Sequence, residues 1–424
     1  MYRMLLACLI LAAMIATPAL AQDRVNCSEK GSLLIWSKVE LRWNAAGNPI
    51  QDTFISLTND YIEDVQVQLY FINGDGPLPV SGPERPHPGW NSVDFGIELT
   101  MNEPTYWSAM TGGPIGAQPF TILDPANGGL PGRPDPAGTG DRVLRGYILG
   151  WAVNDLGEEI RWNHLSGNAV IVNYMFGSAW EYNAWSFRAL DQGGAIANGD
   201  ATGTPGMIFL NGTEYDSAYS QLLFDFFAVN STALSGGGRV VAVDTDLTLF
   251  PVSVDLRQET EGPVTTKAHF DIWDMNEFKK SGTYHCVTCW DQTLLSDYGI
   301  PNNFLIQNLW TDKGKARIIG QASQLCDYDY DLADGPLGTD PRDIISVADP
   351  LLGVAAKQLV FDSGSDYGYA GMNLFGMGTA SALIQADLVS GGNPPPETPA
   401  IQRTPVRPIN MRPGAVQLEE TPDE

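Results

Sequence analysis

From Gly31 onward the chain is a succession of short apolar–polar runs, each closed by Gly, Asn, Asp or Pro. Leu33 to Trp36 and Val39 to Trp43 read as two strands. In the second, Val39, Leu41 and Trp43 alternate with Lys38, Glu40 and Arg42, which predicts a half-buried strand with its charged side in water. Ala45-Ala46-Gly47-Asn48-Pro49 is a turn. Val65, Val67, Leu69 and Phe71 then share one face of the next strand. Gly146 to Val153, Ala169 to Tyr174 and Leu222 to Val229 continue the pattern, and Tyr182 to Arg188 fits a strand or a short helix. Asp291 to Leu309 departs from it and reads as a short helix or an irregular excursion.

A two-residue period interrupted by turn residues is the signature of an all-β protein. The expected fold is two β-sandwich-like domains, immunoglobulin-like or jelly-roll-like, with long Gly/Pro-rich loops. The first spans residues 26–238 and the second 239–388. The boundary falls at Gly236-Gly237-Gly238. A short echo, Val39-Glu40-Leu41-Arg42 against Val254-Asp255-Leu256-Arg257, supports a repeat of one unit. Two stretches, 76–91 and 124–140, are too rich in Pro and Gly to sit in a central ladder and are expected to be loops.

The ends read differently. Residues 1–21 have the form of a signal peptide: Arg3, an apolar run from Leu5 to Ala16, and Ala19-Leu20-Ala21 as the cleavage site. This places the mature chain outside the cytoplasm, secreted or periplasmic. No later segment is long and apolar enough to predict a membrane span. Residues 389–424 are polar and proline-rich, which predicts a disordered tail.

Charge narrows the partners. With 24 Lys+Arg against 50 Asp+Glu the net charge is −26, a field that repels phosphate backbones and argues against nucleic acid. Four cysteines remain after cleavage: Cys27, Cys286, Cys289 and Cys326. In an exported chain they predict disulfides, with three pairings open. The preferred one joins Cys286 to Cys289 and staples Cys27 to Cys326. Zinc and thiol exchange are the alternatives for this cluster; the first lacks a second paired knuckle and the second a strand–helix context.

Candidate chemistry is sparse. Four histidines, His87, His164, His269 and His285, fall in no metalloprotease motif, and no nucleophile elbow or phosphate loop occurs. No catalytic residue is nominated. Asp327, Asp329, Asp331 and Asp334, with Asp340 beyond, place hard oxygen ligands at alternate positions and form the candidate calcium loop, although Leu332 and Gly338 break the EF-hand pattern. Trp151, Trp162, Trp180 and Trp185 lie in an aromatic-dense stretch. They serve either a sandwich core or a sugar-binding face. No cofactor other than calcium is implied. The leading function is an exported, non-enzymatic structural or surface-interaction protein whose partners are other extracellular proteins or glycans. A carbohydrate-binding module is the first alternative and a secreted hydrolase the second.

Overall fold

The computed structural model of the protein describes residues 30–75, 92–117, 120, 123–124, 129–190, 197–203, 206–252, 264–327, 337, 343–362, 364 and 366–385. The expected signal peptide, Cys27, the stretch 76–91 expected as a loop, the second copy of the echo at 254–257 and the expected tail therefore lie outside the described residues.

The first half supplies β1 (Leu33–Trp43), β2 (Pro49–Asn59), β3 (Val65–Asn73), β4 (Ser92–Leu99), β5 (Glu103–Ser108), β6 (Leu123–Asp124), β7 (Leu130–Pro131), β8 (Arg133–Pro134), β9 (Arg142–Val153), β10 (Leu165–Asn173), β11 (Ser178–Asn183) and β12 (Trp185–Phe187). Ten of them form one antiparallel sheet along the order β11-β10-β2-β1-β9-β3-β4, with β12 beside β1, β5 beside β2 and β8 beside β9. The second half supplies β13 (Met207–Leu210), β14 (Gln221–Phe227), β15 (Val241–Pro251), β16 (Thr265–Asp274), β17 (Lys279–Lys280), β18 (Tyr284–Thr288), β19 (Asp291–Leu294), the one-turn helix α1 (Ile306–Leu309), β20 (Lys313–Gln321), β21 (Leu351–Phe361), β22 (Asp366–Asn373), β23 (Phe375–Met377) and β24 (Ala382–Gln385). They form a six-stranded sheet, β17-β16-β20-β14-β23 with β18 on β16, and a four-stranded sheet, β19-β15-β21-β22. The protein is thus mostly β, built from several antiparallel sheets. The stretch expected to be helical or irregular is a strand, a 3-10 turn and the short α1.

The two runs expected as separate strands are one strand, β1, interrupted by a bulge. Trp36 pairs with Ile148 and Val39 with Gly146, so β1 carries one residue more than β9 between these points. A bulge of this kind re-phases the alternation. Leu34 and Trp36 before it, and Val39, Leu41 and Trp43 after it, all enter the same core.

That inner core is filled from β1, β2, β3, β4, β5, β9, β10 and β11, with Val354 and Ala356 of β21. A second core lies on the opposite face of the same sheet. Leu33, Ile35, Tyr70, Tyr147 and Trp151 meet Phe224, Leu249, Phe270, Ile318 and Leu352 there. This core draws on residues from both sides of the boundary expected at 238–239, and one compact unit holds all the described residues. The second half covers the large sheet, and the polar side of β1 is accordingly not in water. Lys38 and Glu40 are only 2% and 5% exposed. The half-buried strand expected from the alternation is fully buried over these positions.

Candidate interaction surface

The six-stranded sheet has one face in the shared core and the other in solvent. On β16, Ala268, Phe270 and Ile272 point inward. The period of two turns Lys267, His269, Asp271 and Trp273 outward. On β20, Ala316 and Ile318 point inward, leaving Lys313, Lys315 and Arg317 outward, successive cations about 7 Å apart. The register sets Lys315 between Trp273 and Asp225, and Arg317 between Asp271 and Leu223.

Cations of this sheet lie against aromatic rings, all but the edge residue Lys280 on the outward face. Lys280 Nζ is 3.6 Å from the centroid of Trp310, Lys267 Nζ 4.8 Å from Tyr284 and Lys313 Nζ 4.8 Å from Phe227. Lys279 and Arg317 both lie 5.7 Å from Trp273. Such contacts hold a long side chain in one arc and fix the charge in space. Asp271 sits beneath them, taking Lys279 at 2.5 Å and both Nε and Nη2 of Arg317. Burial alone would raise its carboxyl, but Lys279 and Arg317 outweigh that and hold it below the ordinary aspartate value. Five of the chain's eight lysines, 267, 279, 280, 313 and 315, belong to this one sheet.

At the β16–β17 end the surface becomes apolar. Met275 and Phe278 are 63% and 66% exposed, Trp310 76% and Ile300 98%. Local contacts draw Met275 toward Trp310, with Phe278 in the same turn, and seat the Ile300–Pro301 segment separately beside Thr283. The Met275 N–H donates to Thr311 Oγ1 at 3.3 Å, Lys280 covers Trp310, and the Thr283 hydroxyl donates to the Pro301 carbonyl at 2.8 Å. Trp310 ends α1 in the left-handed region, φ 69°, where a bulky side chain is uncommon.

A second charged constellation lies inside the molecule, where β1 meets the second half. Lys38 Nζ reaches Asp246 at 2.6 Å and Glu40 at 3.3 Å. Arg42 bonds Glu40 and, at 2.7 Å, Asp135. The Gln292 amide donates to Asp246 at 2.7 Å and Glu40 at 3.3 Å, and its oxygen accepts from Arg145, which also binds Asp75 through two bonds of 3.0 Å. Burial would push the Glu40 carboxyl up. Arg42, Lys38 and Arg145 together outweigh it and hold the group well below the ordinary glutamate range. The arrangement is enclosed and pins the halves together.

Glu159 is buried differently. Both its oxygens face the Gly206 N–H, at 2.9 and 3.1 Å, and Thr202 and Tyr215 lie alongside. Burial pushes its carboxyl up from 4.5 to about 7, only partly offset by backbone bonds.

The residues singled out from the sequence fall as follows. The disulfide joins Cys286 to Cys326, with Cα atoms 5.4 Å apart, and Cys289 is a buried thiol. The preferred pairing of Cys286 with Cys289, and of Cys326 with Cys27, is therefore corrected. Cys286 ends up on β18 beside the 3-10 turn that holds Cys326, whereas Cys289 turns into the core at φ 56°. Burial raises the Cys289 thiol to about 12. Trp151, Trp162, Trp180 and Trp185 are all buried. Trp151 stacks on Tyr70 at 5.3 Å, the Trp162 indole donates to Asn59 and the Trp185 indole to the Gly353 carbonyl. They present no exposed row.

Of the candidate calcium ligands, Asp329, Asp331 and Asp334 lie outside the described residues. Asp327 accepts the Ser346 N–H at 2.8 Å. Among the described residues no three His, Cys, Asp or Glu side chains gather to hold a metal ion. His87 is outside the described residues. His164 stacks on Tyr61 at 4.3 Å, His269 lies 3.5 Å from Asp271, and His285 Nε2 lies 2.9 Å from Asp291.

The residues that sequence reasoning passed over are Lys267, Lys279, Lys280, Lys313, Lys315 and Trp310. The available signal was their confinement to fewer than fifty residues of a lysine-poor chain. No protein-family model matches this sequence, and no curated protein matches it. No helix among the described residues is long and apolar enough to cross a membrane.

Proposed function

We propose that this chain is an exported β protein that works as an interaction module, and that the outer face of the six-stranded sheet meets an anionic partner. One observation carries the proposal: a chain of net charge −26 gathers five of its eight lysines on one sheet and holds four of them, 267, 279, 280 and 313, against aromatic rings. Local fields decide encounter at distances comparable to the Debye length, about 8 Å at physiological ionic strength, so a basic face operates independently of acids further away. The sandwich reading belongs here too, since the large sheet carries a buried core on each of its faces and strands of the other sheets contribute to both. The signal-peptide form of residues 1–21 supports export to the periplasm or beyond.

The test is calorimetric titration with dextran sulfate and with uncharged dextran. Binding to the sulfated polymer alone, weakening as salt rises and lost in the Lys267→Glu/Lys313→Glu/Lys315→Glu variant, is the expected result. Equal binding by wild type and variant, or none by either, would overturn the reading.

A further inference from the structure

The apolar end of the basic face has no evident use on a hydrated polyanion. Met275 has no ring to stack on a sugar, and the Trp310 ring is already covered on one side by Lys280. Yet these residues, with Phe278, are among the most exposed large apolar side chains of the described chain. Met275 and Phe278 project from the turn after β16 and Trp310 from the end of α1, and the bond from Met275 to Thr311 sets them at one end of the sheet. Lys279 and Lys280 lie on the strand that leaves this tip, and Lys313 and Lys315 start the adjoining strand. Of the nearby acids, Asp271 is tied to Lys279 and Arg317, and Glu277 to Lys315 at 2.8 Å.

Apolar side chains at a tip, an indole among them, with lysines behind, match the layered chemistry of a lipid surface. There an anionic headgroup plane lies over hydrocarbon. Lysine stems can lie along the apolar boundary while their ammonium groups stay among the phosphates. Resting on the reading that this face meets an anionic partner, we propose that the partner is an anionic phospholipid surface, into which Met275, Phe278 and Trp310 insert while Lys279, Lys280, Lys313 and Lys315 engage the headgroups. The docking is peripheral. The acidic body lies largely beyond a Debye length from the contact and is screened.

The test uses the full mature chain with vesicles of phosphatidylcholine alone and of phosphatidylcholine mixed with phosphatidylglycerol, read by co-sedimentation. Binding should require phosphatidylglycerol. Phe278→Ala and Trp310→Ala should each weaken it roughly ten-fold, the scale of burying one large apolar side chain. Lys279→Glu/Lys280→Glu should weaken it further and flatten its salt dependence. Unchanged thermal midpoints would establish that these surface variants remain folded. If the chain binds dextran sulfate but neither vesicle, the lipid inference fails and the anionic-face reading stands. If it binds mixed vesicles equally well with and without Phe278 and Trp310, insertion is refuted. Self-association that the tip variants abolish, without vesicle binding, overturns the proposal in favour of a second copy of the chain as occupant.

Discussion

Glu40 and Glu159 are both buried glutamates in the same fold, and their surroundings drive them in opposite directions. Glu40 sits among Lys38, Arg42 and Arg145 and is held in its charged form. Glu159 meets one backbone N–H, with a second glutamate next to it in sequence, and is driven toward its neutral form, to about 7. Burial contributes in the same sense at both sites. What differs is the supply of partners. The site at the junction of the halves is a complete ionic network, and the site beside residues 202–206 is a carboxyl that the fold tolerates best when protonated.

The sharpest way to break this comparison is to remove a cation from the complete network. Lys38→Met leaves Glu40 and Asp246 facing each other in the interior and should cost about 3–5 kcal/mol in urea unfolding, the usual penalty for orphaning one member of a buried pair. A loss below about 1 kcal/mol, typical of an exposed pair, would mean the network is better solvated than its burial indicates. Adding Asp246→Leu to Lys38→Met should recover part of the loss.

The second effect is smaller and has a sign of its own. The folded-state value of Glu159 is raised, so between its ordinary 4.5 and about 7 the folded chain holds the proton more tightly than the unfolded one. Its contribution to stability is therefore most favourable below 4.5 and declines as pH rises to about 7. The gain of Glu159→Gln over wild type should thus grow by about 2–3 kcal/mol between pH 4.5 and 8. Glu40 has the opposite sign. Its lowered value gives a contribution present above 4.5 and lost as acid drives the pH down toward its folded value. A gain from Glu159→Gln that is flat with pH would dissolve the contrast. The smallest effect calibrates the scale: Arg239 pairs with Asp362 at 2.7 Å and Asp366 at 2.6 Å on the open surface, and Arg239→Gln should leave the thermal midpoint where it is.

The β class was legible because alternation and turn residues are local signals, and β3, β9, β10 and β14 fall where the pattern placed them. The burial of Lys38 and Glu40 was not. Alternation says which side chains share a face, and it is silent on what covers that face. Asp246 and Gln292, more than two hundred residues away, supply the cover. The cysteines failed for the same reason. Proximity in sequence favoured Cys286 with Cys289, while the end of β18 turns the second thiol inward and leaves the first beside Cys326. The basic face was half legible. The lysines are visible as a cluster, but only the pairing of β16, β17 and β20 sets them side by side.

The bulge in β1 has one more consequence. By breaking the ladder between Trp36 and Val39 it leaves backbone groups for other use. The Ser37 carbonyl accepts the Trp290 indole N–H at 3.1 Å, and the Lys38 N–H donates to the Tyr182 hydroxyl at 2.9 Å, which donates in turn to the Lys38 carbonyl. The Lys38 amide is thus protected by a phenol and not by a neighbouring strand. Its hydrogen–deuterium exchange reads the seating of Tyr182 in the inner core.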